Sequence, residues 1–333
     1  MKLLVTGGHG FIGWHVVTEA RGRGHSVRVL GRPPAEAAPP LAPRDSVEVV
    51  RRDLRQPGGL VAAIEGVDAV VHCAAAMDGN LATQLAVTVE GTRNLLAAMK
   101  KAGVRHIVGL STFALYDYLK LADGALLDED SPLDEQFDMR APYVRAKRLQ
   151  EDLIREQAGA DEWRWTILRP GIVYGKGRTW FHHLGVQLSR ERWVCLGGDS
   201  LLPLTHVECC AGAVLDALEN EAANGATVNI VDDDLPSRRR YMDALAQRTS
   251  PNPRITGLSW ALLDRAARAA SWTNRTLLLR KAPLPDLLQP AALHARCKPL
   301  RYSNQRAKQV LGWGPRWNLE EGLERSFAKS DVA

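Results

Sequence analysis

Residues 1–13 read MKLLVTGGHGFIG. Lys2 to Thr6 is an apolar run of strand length, broken by Gly7-Gly8-His9-Gly10-Phe11-Ile12-Gly13. Trp14 to Ala20 then continues as a helix, with Ile12, Val16, Val17 and Ala20 at helical spacing. Strand, glycine turn and helix is the context that gives a glycine fingerprint a mechanism. Gly7 permits the tight turn, and Gly10 lets the main chain approach a pyrophosphate seated at the helix N-terminus. Gly13 lets the helix pack closely on the strand. Phe11 and Ile12 complete the turn as candidate cofactor contacts. Glycine turns before helices also occur without a ligand, so the remainder of the chain has to decide.

Working outward, further strands are predicted at 27–30, 47–50, 69–72, 107–110 and 165–168, and helices at 59–66, 81–102 and 142–157. The stretch 33–43, rich in Pro and Ala, is predicted to be an exposed loop. Strands alternating with helices imply right-handed crossovers and parallel pairing. The expected fold is α/β: a doubly wound parallel (Rossmann) sheet followed by a smaller α+β region. Residues 1–175 form the dinucleotide-binding part and 176–333 the substrate-binding part, with parts of 205–232 open to a return to the first sheet. Beyond Gly175 the rhythm loosens, and Gly177 to Asp199 shows no clean alternation. Helices are expected at 209–219, 241–247, 258–279 and 304–311 and from Leu319, with a strand at 227–231. The 258–279 pattern is too charged to span a bilayer and is read as an amphipathic helix packed on its own domain.

Composition narrows the function. Hydrophobic residues make up 45% of the 333-residue chain, enough for a large core. The net charge of +5 mildly favours anionic ligands, but no basic stripe interleaves with aromatics, so nucleic acid is not expected. The apolar run at the start is too short for a signal peptide, and no window supports a transmembrane span. Five cysteines without a CxxC motif fit a reduced, cytoplasmic protein.

Four features stand in one order. The glycine turn comes first. Asp53-Leu54 follows the third strand, where an acid can accept from an adenine amino group. Ser111-Thr112 ends the fifth strand, and Tyr143 and Lys147 lie four apart on one face of the next helix. A phenol ionises near ~10. An ammonium beside it favours the phenolate, so Tyr143 is expected to exchange a proton near neutrality. Thr112 would hold a substrate oxygen while hydride passes between substrate carbon and a nicotinamide.

On these residues the chain resembles the extended short-chain dehydrogenases/reductases, the NAD-dependent epimerase/dehydratase family, over nearly its whole length. The matching pieces are TGGHGFIG, RRDL, HCAAA at 72–76, TVEGTRNLL at 88–96, LSTFALY at 110–116, YVRAK, LRPGIVYGKG, LPLTHVECCAGA at 202–213 and LGWGPRWNLEEGL at 311–323. The resemblance implies a triad of Thr112, Tyr143 and Lys147. It also implies cofactor contacts at Ala74, Ala75 and the main chain after Pro170, and a homodimer. Thr88 stands where the family usually has Asn, and Leu202 where nucleotide-sugar members often have Arg.

No acid ends the second strand to bind ribose hydroxyls; Arg32 follows instead, and a guanidinium pairs well with a 2′-phosphate. NADP is therefore expected over NAD. Phe113-Ala114 after Thr112 supply no acid or base, which argues against dehydration. Ketone reduction or alcohol oxidation of a small-molecule substrate, as in hydroxysteroid dehydrogenases, ranks ahead of 4-epimerisation of a nucleotide sugar. A non-catalytic dinucleotide sensor is the remote alternative. Met77, Asp78, Phe113, Tyr116 and Tyr174 follow strand ends and are candidate substrate contacts. No metal site is expected: His182-His183 lacks a third ligand at sensible spacing. Asp232-Asp233-Asp234 is expected to be a solvated turn, and Arg238-Arg239-Arg240 to cap or solvate the next helix start.

Overall fold

The computed structural model describes residues 1–31, 47–137, 141–276 and 284–328. Arg32, the 33–43 loop and the end of the 258–279 pattern lie outside the described residues. The first half alternates: β1 (Lys2–Thr6), α1 (Phe11–Gly22), β2 (Ser26–Gly31), β3 (Val47–Arg51), α2 (Leu60–Ile64), β4 (Ala69–His72), α3 (Leu81–Gln84), α4 (Gly91–Ala102), β5 (His106–Leu110), the short β6 (Leu126–Leu127), α5 (Pro142–Ala160) and β7 (Arg164–Pro170). The second half runs β8 (Ile172–Tyr174), β9 (Gly185–Ser189), β10 (Arg192–Leu196), β11 (Leu204–His206), α6 (Val207–Glu219), β12 (Ala226–Ile230) and α7 (Arg238–Gln247). It ends with β13 (Arg254–Leu258), α8 (Trp260–Thr276), α9 (Pro290–Cys297), β14 (Arg301–Tyr302), α10 (Gln305–Leu311) and α11 (Leu319–Phe327). The single helix expected over 81–102 is α3 and α4 joined by a π-helical segment, Leu85–Glu90.

Seven strands form one parallel sheet in the order β12-β7-β5-β4-β1-β2-β3. The inner strands are buried on both faces, which is why β1 and β4 read as unbroken apolar runs rather than alternating ones. Val16 and Val17 of α1, Val214 and Leu215 of α6 and Leu311 of α10 cover one face. Leu60 and Ile64 of α2, Leu95 and Met99 of α4 and Ile154 of α5 cover the other. Strand order reverses between β1 and β4, so a crevice opens beyond their carboxyl ends, where ligands of such sheets bind.

Residues 207–230 supply α6 and β12 to this first sheet. The remaining C-terminal elements include a second sheet, β13-β10-β9. Strands β9 and β13 are not legible as alternation because neither buries a regular face: four of the five residues of β9 are exposed, and β13 has no fully buried residue. Tyr174, Leu202, Leu204, Tyr241 and Leu323 pack into the core that joins these elements. Among the described residues no helix is long and apolar enough to cross a membrane.

Candidate active site

The turn after β1 is built by steric exclusion. Gly7 has φ +69°, and a Cβ there would lie 2.9 Å from the Ala74 nitrogen. A Cβ on Gly13 would sit 2.2 Å from the Gly7 carbonyl oxygen, so α1 approaches the turn as only glycine allows. Gly10 caps α1 without a side-chain hydrogen bond, which leaves the first-turn N–H groups to be satisfied by an anion. These features fit a dinucleotide pyrophosphate. Phe11 lies beside the turn, with the Arg178 guanidinium 4.9 Å from its ring centre.

The loop after β4 faces this turn. Ala74 N donates to Thr6 Oγ1 at 3.2 Å, and Ala76 N donates to Thr88 Oγ1 at 3.0 Å. Thr88 thus fixes the main chain beside Ala74 and Ala75, a bond its hydroxyl can make in place of an amide. Asp53 accepts from the backbone and guanidinium of Arg55. Leu54 packs in the core, and its carbonyl accepts from Asn94.

Thr112 follows β5, its side chain accepting from Ala114 N at 3.2 Å. Tyr143, in the first turn of α5, lies beside the Thr112 side chain. Burial raises the phenol above its ordinary range, and the neighbouring Thr112 hydroxyl partly offsets this. Lys147, one turn further on and 3% exposed, donates to the Leu110 carbonyl and to Gln150 Oε1. Burial lowers its ammonium to about 8, against the opposing pull of Glu151 and Cys73. The structure brings Thr112 and Tyr143 together at the end of β5. The expected acidification of Tyr143 by Lys147 is absent: burial raises the phenol, and Lys147 is turned to the β5 carbonyl and Gln150.

A buried polar layer beneath Lys147 escapes a reading of the sequence. His72, the last residue of β4, lies 2.7 Å from Thr6 Oγ1 and 2.8 Å from Thr92 Oγ1. Gln150 Nε2 lies 2.9 Å from His72 Nε2 and donates to Thr92 Oγ1 at 3.0 Å and to the Ala74 carbonyl at 3.4 Å. Burial lowers His72 to about 3, with Lys147 adding to the effect, so the ring is neutral. The signal available in sequence is only the position of Gln150, three residues beyond Lys147 on the same helix.

Three expected substrate contacts turn out to be core. Tyr116 is 0% exposed, donates to Asn229 Oδ1 at 2.7 Å and accepts from Arg169. Tyr174 is 1% exposed and packs against Tyr241 and His206. Phe113 is buried edge-on against Tyr116. Strand ends point inward here because the C-terminal region covers them; Met77 stays exposed. Of the three aspartates, Asp233 is exposed as a solvated turn would have it, but Asp232 is not. Asp232 is buried, accepts from Thr205 Oγ1 and His206 N, and is raised by burial to about 7. Arg238 is likewise buried, donating to the carbonyls of His183 and Arg296. The rings of His182 and His183 stack 4.0 Å apart.

Comparison with known proteins agrees with this architecture. The model of a family described as "NAD dependent epimerase/dehydratase family" matches residues 3–230. A 2-alkyl-3-oxoalkanoate reductase of Stenotrophomonas maltophilia is 29% identical, with 99% of each chain covered. A 3 beta-hydroxysteroid dehydrogenase/Delta 5-->4-isomerase of Mycobacterium tuberculosis is 27% identical over 97% of this chain and 88% of its own. Among solved structures, a UDP-glucuronic acid 4-epimerase of Bacillus cereus in complex with NAD superposes with a TM-score of 0.73. It covers 98% of this chain and 97% of that one at 20% identity, a likeness of fold.

Proposed function

The chain belongs to the NAD dependent epimerase/dehydratase family, and from that premise we propose that it moves hydride at a secondary alcohol or ketone through Thr112, Tyr143 and Lys147. It is an NAD(P)-dependent oxidoreductase of the extended short-chain dehydrogenase/reductase type. A nicotinamide held at this site would supply or accept the hydride. Tyr143 donates the proton to the carbonyl oxygen, Thr112 orients that oxygen, and Lys147 keeps a positive charge nearby. The turn residues Gly7, Gly10 and Gly13, with Ala74, Ala75 and Pro170, would hold the cofactor, and residues 176–333 would supply most of the substrate pocket. The observation that carries the reading is the grouping at the end of β5: Tyr143 beside Thr112, with Lys147 one helical turn further on α5 donating to the Leu110 carbonyl.

Ketone reduction ranks ahead of epimerisation because Leu202 is buried in an apolar cluster, where a diphosphate would need a cation. The names of the reductase and dehydrogenase relatives favour the same side. UDP is accordingly expected to leave the melting temperature unchanged, whereas a nucleotide-sugar enzyme would be stabilised by about 2.7 kcal/mol at a hundredfold excess over Kd. A clear UDP-dependent rise would put epimerisation first.

The cofactor preference rests on sequence alone. Arg32 comes directly after β2, which ends at Gly31. NADPH is expected to bind at least ~10-fold tighter than NADH, about one charge-assisted hydrogen bond's worth. Arg32→Asp should reverse the order, and equal affinities by calorimetry would reject the assignment. A reduced, cytoplasmic setting fits the free cysteines and belongs to the same proposal.

A further inference from the structure

Lys147 and Gln150 meet in the buried polar layer beneath the triad. An ammonium offers donors only, so the face of Gln150 turned to Lys147 is its oxygen. That choice fixes the amide nitrogen, which meets His72, Thr92 and the carbonyl of Ala74. Four separate segments are tied together by one side chain: β4 through His72, the loop after it through Ala74, α4 through Thr92, and α5 itself. Gln150 is 2% exposed and Lys147 3%, so water does not supply these bonds.

Resting on the triad reading above, we propose that Gln150 is the positioning residue for Lys147, holding the ammonium charged and in place between the β5 carbonyl and the alanines that line the cofactor crevice. The bond accounts for two otherwise costly features. A buried ammonium is stabilised by a fixed acceptor rather than by a second full charge in contact. Gln150 also makes the cofactor-lining loop and the lysine one rigid unit, because the same amide grips the Ala74 carbonyl. The other ionisable groups facing Lys147 are Glu151 on its own helix, whose carboxylate is engaged by Arg169 of β7, and His72 and Cys73 from β4 and its loop. His72 is neutral, and burial pushes the Cys73 thiol up to about 12, so neither replaces Gln150 as an acceptor for the charge near neutral pH.

The test measures NADPH affinity by calorimetry from pH 6 to pH 10 in wild type, Gln150→Leu and Gln150→Glu, with ketone reduction followed over the same range. Wild-type affinity is expected to weaken above about pH 8, as the Lys147 ammonium loses its proton. Gln150→Leu keeps the shape but removes the acceptor, and should move that limb down by about one pH unit. Gln150→Glu places a carboxylate against the ammonium and should move it up by about one unit, the size expected for one charge-assisted hydrogen bond. Opposite shifts are not produced by a residue that only fills space. The proposal is overturned if both variants keep the wild-type limb, if both move it the same way, or if wild-type affinity does not change from pH 7 to pH 10. If Gln150→Leu fails to fold, the upward shift in Gln150→Glu decides alone. A failed triad reading shows differently: Tyr143→Phe would then turn over normally while the binding limb still reports on Gln150.

Discussion

Replacing Tyr143 by phenylalanine is expected to lower NADPH-dependent ketone turnover at least ~100-fold, within the usual range for a lost proton donor. Cofactor affinity and melting temperature should stay close to wild type. The phenol sits beside the Thr112 hydroxyl in a site that burial has made unfavourable for its anion. The proton therefore stays on oxygen through neutral pH, the form needed to protonate a carbonyl. In the alcohol-oxidising direction Tyr143 must instead accept a proton, so oxidation should gain at higher pH. Lys147, lowered to about 8, sets the opposing limit. Reduction is expected to fall as pH rises through that value and the ammonium is lost. Near-normal turnover by Tyr143→Phe would reject the proton-donor role outright.

Glu151→Ala should be the most damaging single substitution for stability. The Glu151 and Arg169 side chains are 2% and 3% exposed and meet at 2.8 and 2.9 Å in a two-pronged pair. Arg155 adds a contact to Glu151 at 2.6 Å, and Arg169 also reaches the Tyr116 hydroxyl. Removing the carboxylate leaves the buried Arg169 guanidinium facing a neutral phenol, its charge no longer matched by Glu151. The expected cost is about 3–5 kcal/mol, measured by denaturant unfolding. Replacing both partners by methionine should cost much less than either single removal, because no unpaired charge is left. The pH dependence follows from the sign. Burial pushes the Glu151 carboxyl up, but the bonds and charge of Arg169, with the charge of Arg155, more than offset this and lower it from 4.5 to about 2. Its contribution is thus present above about pH 4.5 and lost as pH falls toward 2. A Glu151→Ala variant within 1 kcal/mol of wild type, or one equally acid-sensitive, would show that the pair stabilises little.

Much of the fold was legible because the first half of the chain obeys local rules. Apolar runs of strand length alternate with amphipathic segments, and glycines mark the turn before α1. Buried parallel strands such as β4 announce themselves by four apolar-to-neutral residues without alternation. The exposed strands β9 and β13 do not, because neither buries every second residue, so no period of two is written into their sequence. Tyr116 and Tyr174 show the opposite failure. Their place after strand ends suggested a pocket, and the C-terminal elements buried them instead.

By itself the sequence determined the glycine turn, the alternation of the principal strands and helices as far as β7, and the placing of Tyr143 and Lys147 on one helical face. Each depends on neighbours within a few residues, where spacing dictates geometry. Only the tertiary structure decided what surrounds those two side chains. The neutral His72, the Gln150 amide and the Leu110 carbonyl come from three segments that meet only when the sheet closes. Burial there is a property of the assembled interior, and burial is what keeps the Tyr143 proton on and brings the Lys147 ammonium down toward neutrality.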